Sequence, residues 1–492
     1  MTTEQLAPPS MLATGGRFMG RVKRVHFVGV GGAGMCGIAE VLASEGFAVS
    51  GSDMEASATT RHLQRVGVEV QIGHKREHVR AADVVVVSAA VPPTNVEIVH
   101  ARALGIAVIP RAEMLGELMR YRIGVAVAGS HGKTTTTSMI AAMFEHAGAD
   151  PTYVIGGVLR GRSGNARFGE GPHLIAEADE SDASFLHLLP QIAVVTNIDR
   201  DHLVAYDGDF GHLKDAFIRF AQRLPFFGAL LACADDAGVA DILPALSRPV
   251  LTYGIEDGRD YRATSIRAEH LDWRFTALRP AGHAPIEVAV SPPGAHNVLN
   301  ALAAVATATE LGLSDDAIAS AMENFHGVGR RFEIHPECMI EGKRFTLVDD
   351  YGHHPREIAA VIDTARQLWP RRRLVMAFQP HRYSRTHHLF DAFVDVLSRV
   401  DALVLLQTYA AGEPAIDGAK SCDLFQGLCR AGSPAEKCMA AKTDDAGDAL
   451  AHLLQGDDVL LVQGAGNVNR LTEQITSGQL TEVREQCALG AG

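Results

Sequence analysis

I-G-V-A-V-A-G-S-H-G-K-T-T-T-T, Ile123 to Thr137, decides how the rest of this chain is read. The apolar run Ile123 to Val127 predicts a buried strand, the glycines after it a tight turn, and Lys133 onward a helix. In that order the loop amides and the positive end of the helix dipole converge on one spot, an anion site. Lys133 adds a mobile positive charge, and Thr134 a hydroxyl suited to magnesium. Gly129, Ser130, His131, Gly132, Lys133, Thr134 and Thr135 are therefore the candidate polyphosphate loop. The strict Walker A spacing requires glycine at the position held by Val127, so the loop is a short variant. The plainer alternative is a glycine turn followed by an incidental Lys-Thr pair.

Outward from this loop, strand–turn–helix patterns recur in three blocks. The first begins V-K-R-V-H-F-V-G-V, turns at Gly31 to Gly34 and enters a helix through Ala39 to Ser44. Strands are expected at Phe47 to Ser50, Val84 to Val87 and Ile106 to Ile109. Near-continuous apolar strands imply parallel sheets covered on both faces. The second block is expected to carry strands at Leu174 to Ala176, Ile192 to Thr196, Ala229 to Ala232 and Val250 to Tyr253. An antiparallel portion follows over Tyr261 to Val290, then a helix from about Val298 to Glu310. The third has strands at Phe345 to Val348, Leu374 to Phe378, Ala402 to Leu406 and Val459 to Val462. The expected fold is three-domain α/β: a Rossmann-like N-terminal domain (21–120), a central P-loop ATPase-type domain with a mixed sheet (121–327) and a C-terminal Rossmann-like α/β domain (328–492). Residues 1–20 read as a flexible extension rather than a signal peptide.

The 492 residues suit about three domains. With 45 basic against 58 acidic residues the net charge is −13, which argues against nucleic acid or an anionic membrane as the main partner. Seven cysteines, an odd number without a C-x-x-C pair, fit a reducing, cytoplasmic setting. No apolar run reaches the length of a membrane span.

Further motifs sit where strands end. Gly29, Gly31, Gly32, Ala33 and Gly34 form G-x-G-x-x-G, with Asp53 near the end of the next strand, a site for a diphosphate-bearing ligand. Taken alone it spells a dinucleotide; a tight turn without ligand is the plain alternative. A-E-A-D-E-S-D (Ala176 to Asp182) and N-I-D-R-D-H (Asn197 to His202) make Glu177 and His202, with Thr134, candidate ligands of a divalent metal. In G-A-H-N-V-L-N, Asn297 and Asn300 share a helix face and can pair with a purine edge, or Asn297 can simply cap the helix. D-D-Y-G-H-H-P-R-E (Asp349 to Glu357) and F-Q-P-H-R-Y-S-R (Phe378 to Arg385) both follow strands at the carboxyl edge of the sheet, where His381, Arg382 and Arg385 supply positive charge for a carboxylate or phosphate and Asp349 and Asp350 the opposite charge for an amine or a ribose, a candidate substrate site.

Taken in order, H-F-V-G-V-G-G-A-G-M, G-S-H-G-K-T-T-T-T, A-E-A-D-E-S-D, H-N-V-L-N-A, D-D-Y-G-H-H-P and F-Q-P-H-R-Y-S-R resemble the Mur ligases over about residues 22 to 470. The resemblance implies a UDP-sugar domain, an ATP domain and an amino-acid domain. It moves the Gly29 to Gly34 loop and Asp53 from a dinucleotide to UDP-N-acetylmuramate. The implied reaction joins L-alanine to the lactyl carboxylate through an acyl phosphate, in cytoplasmic peptidoglycan precursor synthesis. Lys133, Glu177 and His202 are then catalytic. Thr134 and Glu177 hold one Mg2+, and Glu177 with His202 a second. Asn297 and Asn300 place adenine, and Arg331 and Asp350 reach the nucleotide. Tyr351, His353, His381, Arg382 and Arg385 surround the alanine. The protein is expected to be a monomer or homodimer without nucleic-acid or membrane partners. The alternatives are a ligase for a recycled peptide, a nicotinamide oxidoreductase and a nucleotide-regulated binding protein.

Overall fold

The computed structural model describes residues 19–480, apart from 33, 89, 157–165, 270–271, 434–435 and 441–442. The described chain divides into two compact units. One runs to Arg262 and includes Ala303–Ala321; the other comprises Ala263–Leu302 and the chain from Met322 onward.

The first unit opens with β1 (Arg24–Val28), α1 (Met35–Ser44), β2 (Ala48–Asp53), α2 (Ala58–Arg65), β3 (Glu69–Ile72), β4 (Val84–Val87), α3 (Val96–Ala103), β5 (Ala107–Pro110) and α4 (Arg111–Met119). The strands form a parallel sheet in the order β3-β2-β1-β4-β5. Strand order reverses between β1 and β4, which puts the ligand crevice outside their carboxyl ends, at the Gly29 to Gly34 turn. The four valines of β4 lie between two neighbouring strands; Val84, Val85 and Val86 are buried and Val87 half-buried, as expected of a strand covered on both faces. α2 begins with a capping box in which Ser57 and Thr60 satisfy each other's amides.

A second sheet follows. Its elements are β6 (Ile123–Ala128), α5 (Lys133–His146), β7 (Thr152–Val154), β8 (Ala166–Arg167), β9 (His173–Glu177), β10 (Ile192–Val195), α6 (Phe210–Gln222), β11 (Ala229–Cys233), α7 (Ala237–Ile242), β12 (Val250–Gly254) and β13 (Tyr261–Glu269). The order is β13-β12-β11-β10-β6-β9-β7-β8, so the strand feeding the phosphate loop is enclosed by β10 and β9. The Phe185 ring anchors the core beneath it, against Phe217 and Phe220 at 5.1 and 5.0 Å. β13 starts parallel to β12, and the antiparallel portion expected within Tyr261 to Val290 follows it. The antiparallel pairing belongs to β14 (Asp272–Leu278) and β15 (Ile286–Val290).

After α8 (Ala295–Glu310) and α9 (Asp315–Glu323) come β16 (Glu333–Ile340), β17 (Lys343–Asp350), α10 (Pro355–Leu368), β18 (Leu374–Phe378), α11 (Tyr383–His388), α12 (Phe390–Leu397), β19 (Ala402–Leu406), α13 (Ser421–Arg430), β20 (Glu436–Ala440), α14 (Thr443–Leu453), β21 (Asp458–Gln463) and α15 (Asn469–Thr476). The order is β16-β17-β21-β18-β19-β20, with only β16 antiparallel to its neighbour. Alternate residues of one strand feed two cores: Leu374, Met376 and Phe378 on one face, Val375 and Ala377 on the other. Among the described residues no helix is long and apolar enough to cross a membrane.

Candidate active site

β6 delivers the chain to Gly129, whose φ of 136° suits only glycine and where a Cβ would stand 2.0 Å from the Thr196 hydroxyl. The segment after β10 shapes the loop. The Ser130 amide donates to the Asn197 carbonyl at 3.0 Å and the His131 amide to Asn197 Oδ1 at 2.8 Å. Thr196 Oγ1 donates to the His131 carbonyl at 2.6 Å, and His131 Nε2 lies 3.0 Å from Asp199. Gly132 turns left-handed before α5, and no side chain caps the helix, so its first amides are presented to a ligand. Ser130, Thr134 and Thr135 are buried along this turn.

Lys133 curls back into the loop. Its Nζ donates to the Gly129 carbonyl at 2.6 Å and the Ser130 carbonyl at 3.2 Å, and pairs with Glu180 at 2.8 Å. Burial opposes the Lys133 charge, but the Glu180, Glu177 and Asp179 carboxylates outweigh it and raise its pKa. Burial pushes the Glu180 carboxyl up to about 7 against the pull of Lys133. Thr134 Oγ1 donates to Glu177 Oε2 at 2.9 Å, and the Gly156 amide donates to the same oxygen at 2.8 Å. Two hard oxygen donors thus meet beside the loop, a donor set that suits magnesium. His202, left-handed at φ 55°, keeps its ring 3.4 Å from Asp201.

In the first sheet, the Gly29 and Val30 amides donate to the Ser52 carbonyl, and the Gly31 amide to Asp53 Oδ2 at 2.8 Å. Asp53 therefore braces the glycine-rich loop, which also includes Gly32. Ala33 lies outside the described residues. Gly34 is left-handed at φ 78° and begins α1 without a side-chain cap. A Cβ on Gly34 would stand 2.5 Å from Arg111 Nη1, so the guanidinium lies against the amino end of α1. Burial would raise the Asp179 pKa, but Lys133, the Ser181 bonds and, least of these, the Arg111 charge outweigh it and lower it. Helix end and guanidinium together can hold an anion at the expected diphosphate turn, and Arg111 is the part of it that sequence reading missed. Its signal was a lone arginine opening a helix directly after a strand.

In the second unit, α8 begins at Ala295, so Asn297 lies inside its first turn and the helix-capping alternative does not hold. Gly294, at φ 120° after two prolines, sets this earlier start. Asn297 Nδ2 donates to the Pro293 carbonyl and Asn300 Nδ2 to Asn297 Oδ1, both at 3.1 Å. Next to them His296 is held neutral, its pKa lowered to about 4 by burial, against Glu357 and with help from Arg331. Asp350 is buried and accepts the Phe332 and Gly352 amides at 2.8 and 2.7 Å. Burial raises its pKa, and Arg331 and these amides pull it back.

Around it the expected cluster assembles. Arg330 and Arg331 lie over the Tyr351 ring at 5.3 and 5.0 Å, and Tyr351 meets His353 edge-on at 5.6 Å. His353 faces His381 at 5.4 Å, and His381 stacks on Tyr409 at 5.5 Å with a 9° interplanar angle. Buried Arg385 donates to the His381 carbonyl at 3.2 Å. Arg382 pairs with Glu413 at 3.5 Å, and Glu413 also takes the Ser384 amide and hydroxyl. Arg330, Tyr409 and Glu413 were not anticipated.

Three family models match successive parts of the chain. Residues 24–122 match the Mur ligase family, catalytic domain; 127–308 the Mur ligase middle domain; and 330–466 the Mur ligase, glutamate ligase domain. The chain is 53% identical over 457 residues to the UDP-N-acetylmuramate–L-alanine ligase of Methylococcus capsulatus, covering 93% of this chain and 96% of that protein. The UDP-N-acetylmuramate–alanine ligase crystal structure from Thermotoga maritima matches at a TM-score of 0.75 and 27% identity, over 92% of this chain and 99% of that one. A murein peptide ligase of Psychrobacter arcticus shares the fold at a TM-score of 0.67 and 23% identity, over 94% and 99% of the two chains. This chain belongs to the Mur ligase family.

Proposed function

We propose that the protein joins L-alanine to the lactyl carboxylate of UDP-N-acetylmuramate, consuming ATP, in the cytoplasmic synthesis of peptidoglycan precursors. The identity shared with the Methylococcus capsulatus ligase over nearly the whole chain carries this reading. The lactyl carboxylate attacks the γ-phosphorus of ATP and ADP leaves. The alanine amine then attacks the acyl phosphate, the C–O bond to phosphate breaks, and amide and phosphate result. Such transfer needs positioning and charge neutralisation above all.

In this reading the domains are 21–120 for the UDP-sugar, 121–327 for ATP and 328–492 for the amino acid. Lys133 neutralises the β/γ-phosphates as it leaves Glu180. Thr134 and Glu177 with His202 would hold Mg2+, which would supply further neutralisation of phosphate charge. The Gly29–Gly34 turn with Asp53 and Arg111 binds the diphosphate. Asn297, Asn300, Arg331 and Asp350 attend the nucleotide. Tyr351, His353, His381, Arg382 and Arg385 hold the alanine.

An isotope experiment tests the chemistry. With both carboxylate oxygens of the lactyl group labelled with heavy oxygen, one label is expected in the released phosphate. Unlabelled phosphate would remove the acyl phosphate.

Two variants test the substrate assignments. Arg111→Met is expected to raise KM for the UDP-sugar about tenfold through loss of a charge-assisted contact, with KM for ATP little changed. Arg382→Ala is expected to raise KM for L-alanine or lower kcat by about tenfold. Steady-state kinetics with each substrate varied in turn decides both; unchanged values would make these arginines structural.

A further inference from the structure

Glu97 is fully buried in the first turn of α3, and its carboxylate gathers groups from four other segments. Ser52 of β2 donates its hydroxyl to Oε2 at 2.5 Å. His74, after β3, reaches Oε2 at 3.3 Å, and the Lys75 amide donates to Oε1 at 3.1 Å. His78 meets Oε1 at 2.5 Å, and His26 of β1 lies 3.5 Å from Oε2. The His26 and His78 ring centroids are 6.4 Å apart, and among the described residues these histidines and Glu97 are not arranged as a cation site.

A buried carboxylate costs several kcal/mol unless its lone pairs are satisfied, and well-packed apolar groups often serve stability as well or better. Here the lone pairs are satisfied. Burial would raise the acid's pKa, but the nearby His26 and the Ser52 and His78 bonds outweigh it and bring it to about 2, so Glu97 stays ionised. What it grips lies against the ligand crevice. The Ser52 carbonyl takes the Gly29 and Val30 amides, Asp53 braces Gly31, and the Asp53 carbonyl takes the Gly73 amide at 2.7 Å. The same carboxylate therefore holds the Ser52 side chain and the histidine one residue beyond that last contact. Ser52 Oγ also lies 3.0 Å from His74 Nδ1.

We infer that Glu97 is a positioning residue for nucleotide-sugar binding: by clamping Ser52, His74 and the Lys75 amide, it sets the glycine-rich loop and Asp53 in their binding arrangement. The inference rests on the reading of this domain as the UDP-sugar site. It assigns a role to a residue that touches no substrate. Its signature is a loss confined to one substrate.

The test measures UDP-N-acetylmuramate binding by calorimetry and steady-state kinetics for the full-length protein, Glu97→Gln, Ser52→Ala and the double variant. The amide keeps the shape of Glu97 but removes its charge and one acceptor. Expected is a rise of about tenfold in Kd and KM for the UDP-sugar, with kcat and KM for ATP within about twofold. Ser52→Ala, a smaller change that keeps the test open if Glu97→Gln does not fold, should shift the same constant less. The double variant should be little worse than Glu97→Gln, because both changes break one clamp. Unchanged UDP-sugar affinity in both single variants, or equal losses in all constants with a lowered Tm, would overturn the inference. Failure of the unaltered protein to bind UDP-N-acetylmuramate would instead overturn the reading of the domain.

Discussion

Lys133→Ala is expected to lower kcat by about a thousandfold or more while leaving the protein folded. Preorganised charge at a transferring phosphoryl group is often the largest catalytic contribution, and losing a single donor of this kind costs on the order of a hundred- to a thousandfold. Lys133 stands where the loop amides and the amino end of α5 converge, and its charge is reinforced by Glu180, Glu177 and Asp179. The fold should survive for a specific reason. Glu180 loses its cation, but a carboxyl already raised to about 7 takes up a proton instead of remaining a buried unpaired charge. Lys133→Arg should not restore the rate, since a planar fork does not replace a compact ammonium bonded to the Gly129 and Ser130 carbonyls. Single-turnover phosphate release and circular dichroism measure the two halves of the prediction. A kcat within tenfold of the unaltered protein would remove Lys133 from the chemistry.

The next largest effect is expected from Glu177→Gln. The amide can still accept the Gly156 amide proton and the Thr134 hydroxyl, so the local structure is kept. The charge is not, and hard cations need it. Titrating magnesium into the phosphate-release assay should show a midpoint shifted upward about tenfold or more, with kcat lowered on the order of a hundredfold. An unchanged magnesium midpoint would separate Glu177 from the metal and leave it bracing Gly156 and Thr134.

The parallel strands could be read from sequence because strands enclosed on both edges and both faces must be apolar throughout, as Val84–Val87 and Ala402–Leu406 are. The strand–turn–helix order around Gly129 to Lys133 was legible for a different reason: strand, turn and helix N-terminus are contiguous, so local chemistry dictates local geometry. Short strands such as β7 and the edge strand β8, and the polar β16, carry no such pattern. At α8 the apolar run from Val298 outweighed the stronger signal of Pro292-Pro293-Gly294 just before Ala295.

The missed site residues share one property, that long-range packing selects them. The acidic run Ala176 to Asp182 announces carboxylates at a strand end, but not that Glu180 turns inward to Lys133 while Glu177 meets Thr134. Arg111 gains meaning only where it meets Gly34, and Tyr409 where it stacks on His381. Glu97 reads as an ordinary acid in a helical first turn until His26, Ser52, His74 and His78 are seen around it.

The most direct measurement of the central claim is phosphate release from ATP with magnesium, with and without UDP-N-acetylmuramate, across a panel of amino acids and one short peptide, with the product identified by mass spectrometry. Release that requires both the UDP-sugar and L-alanine, with an equal amount of the alanyl amide, is the predicted result. Release with the peptide in place of L-alanine, or release indifferent to the UDP-sugar, would contradict it.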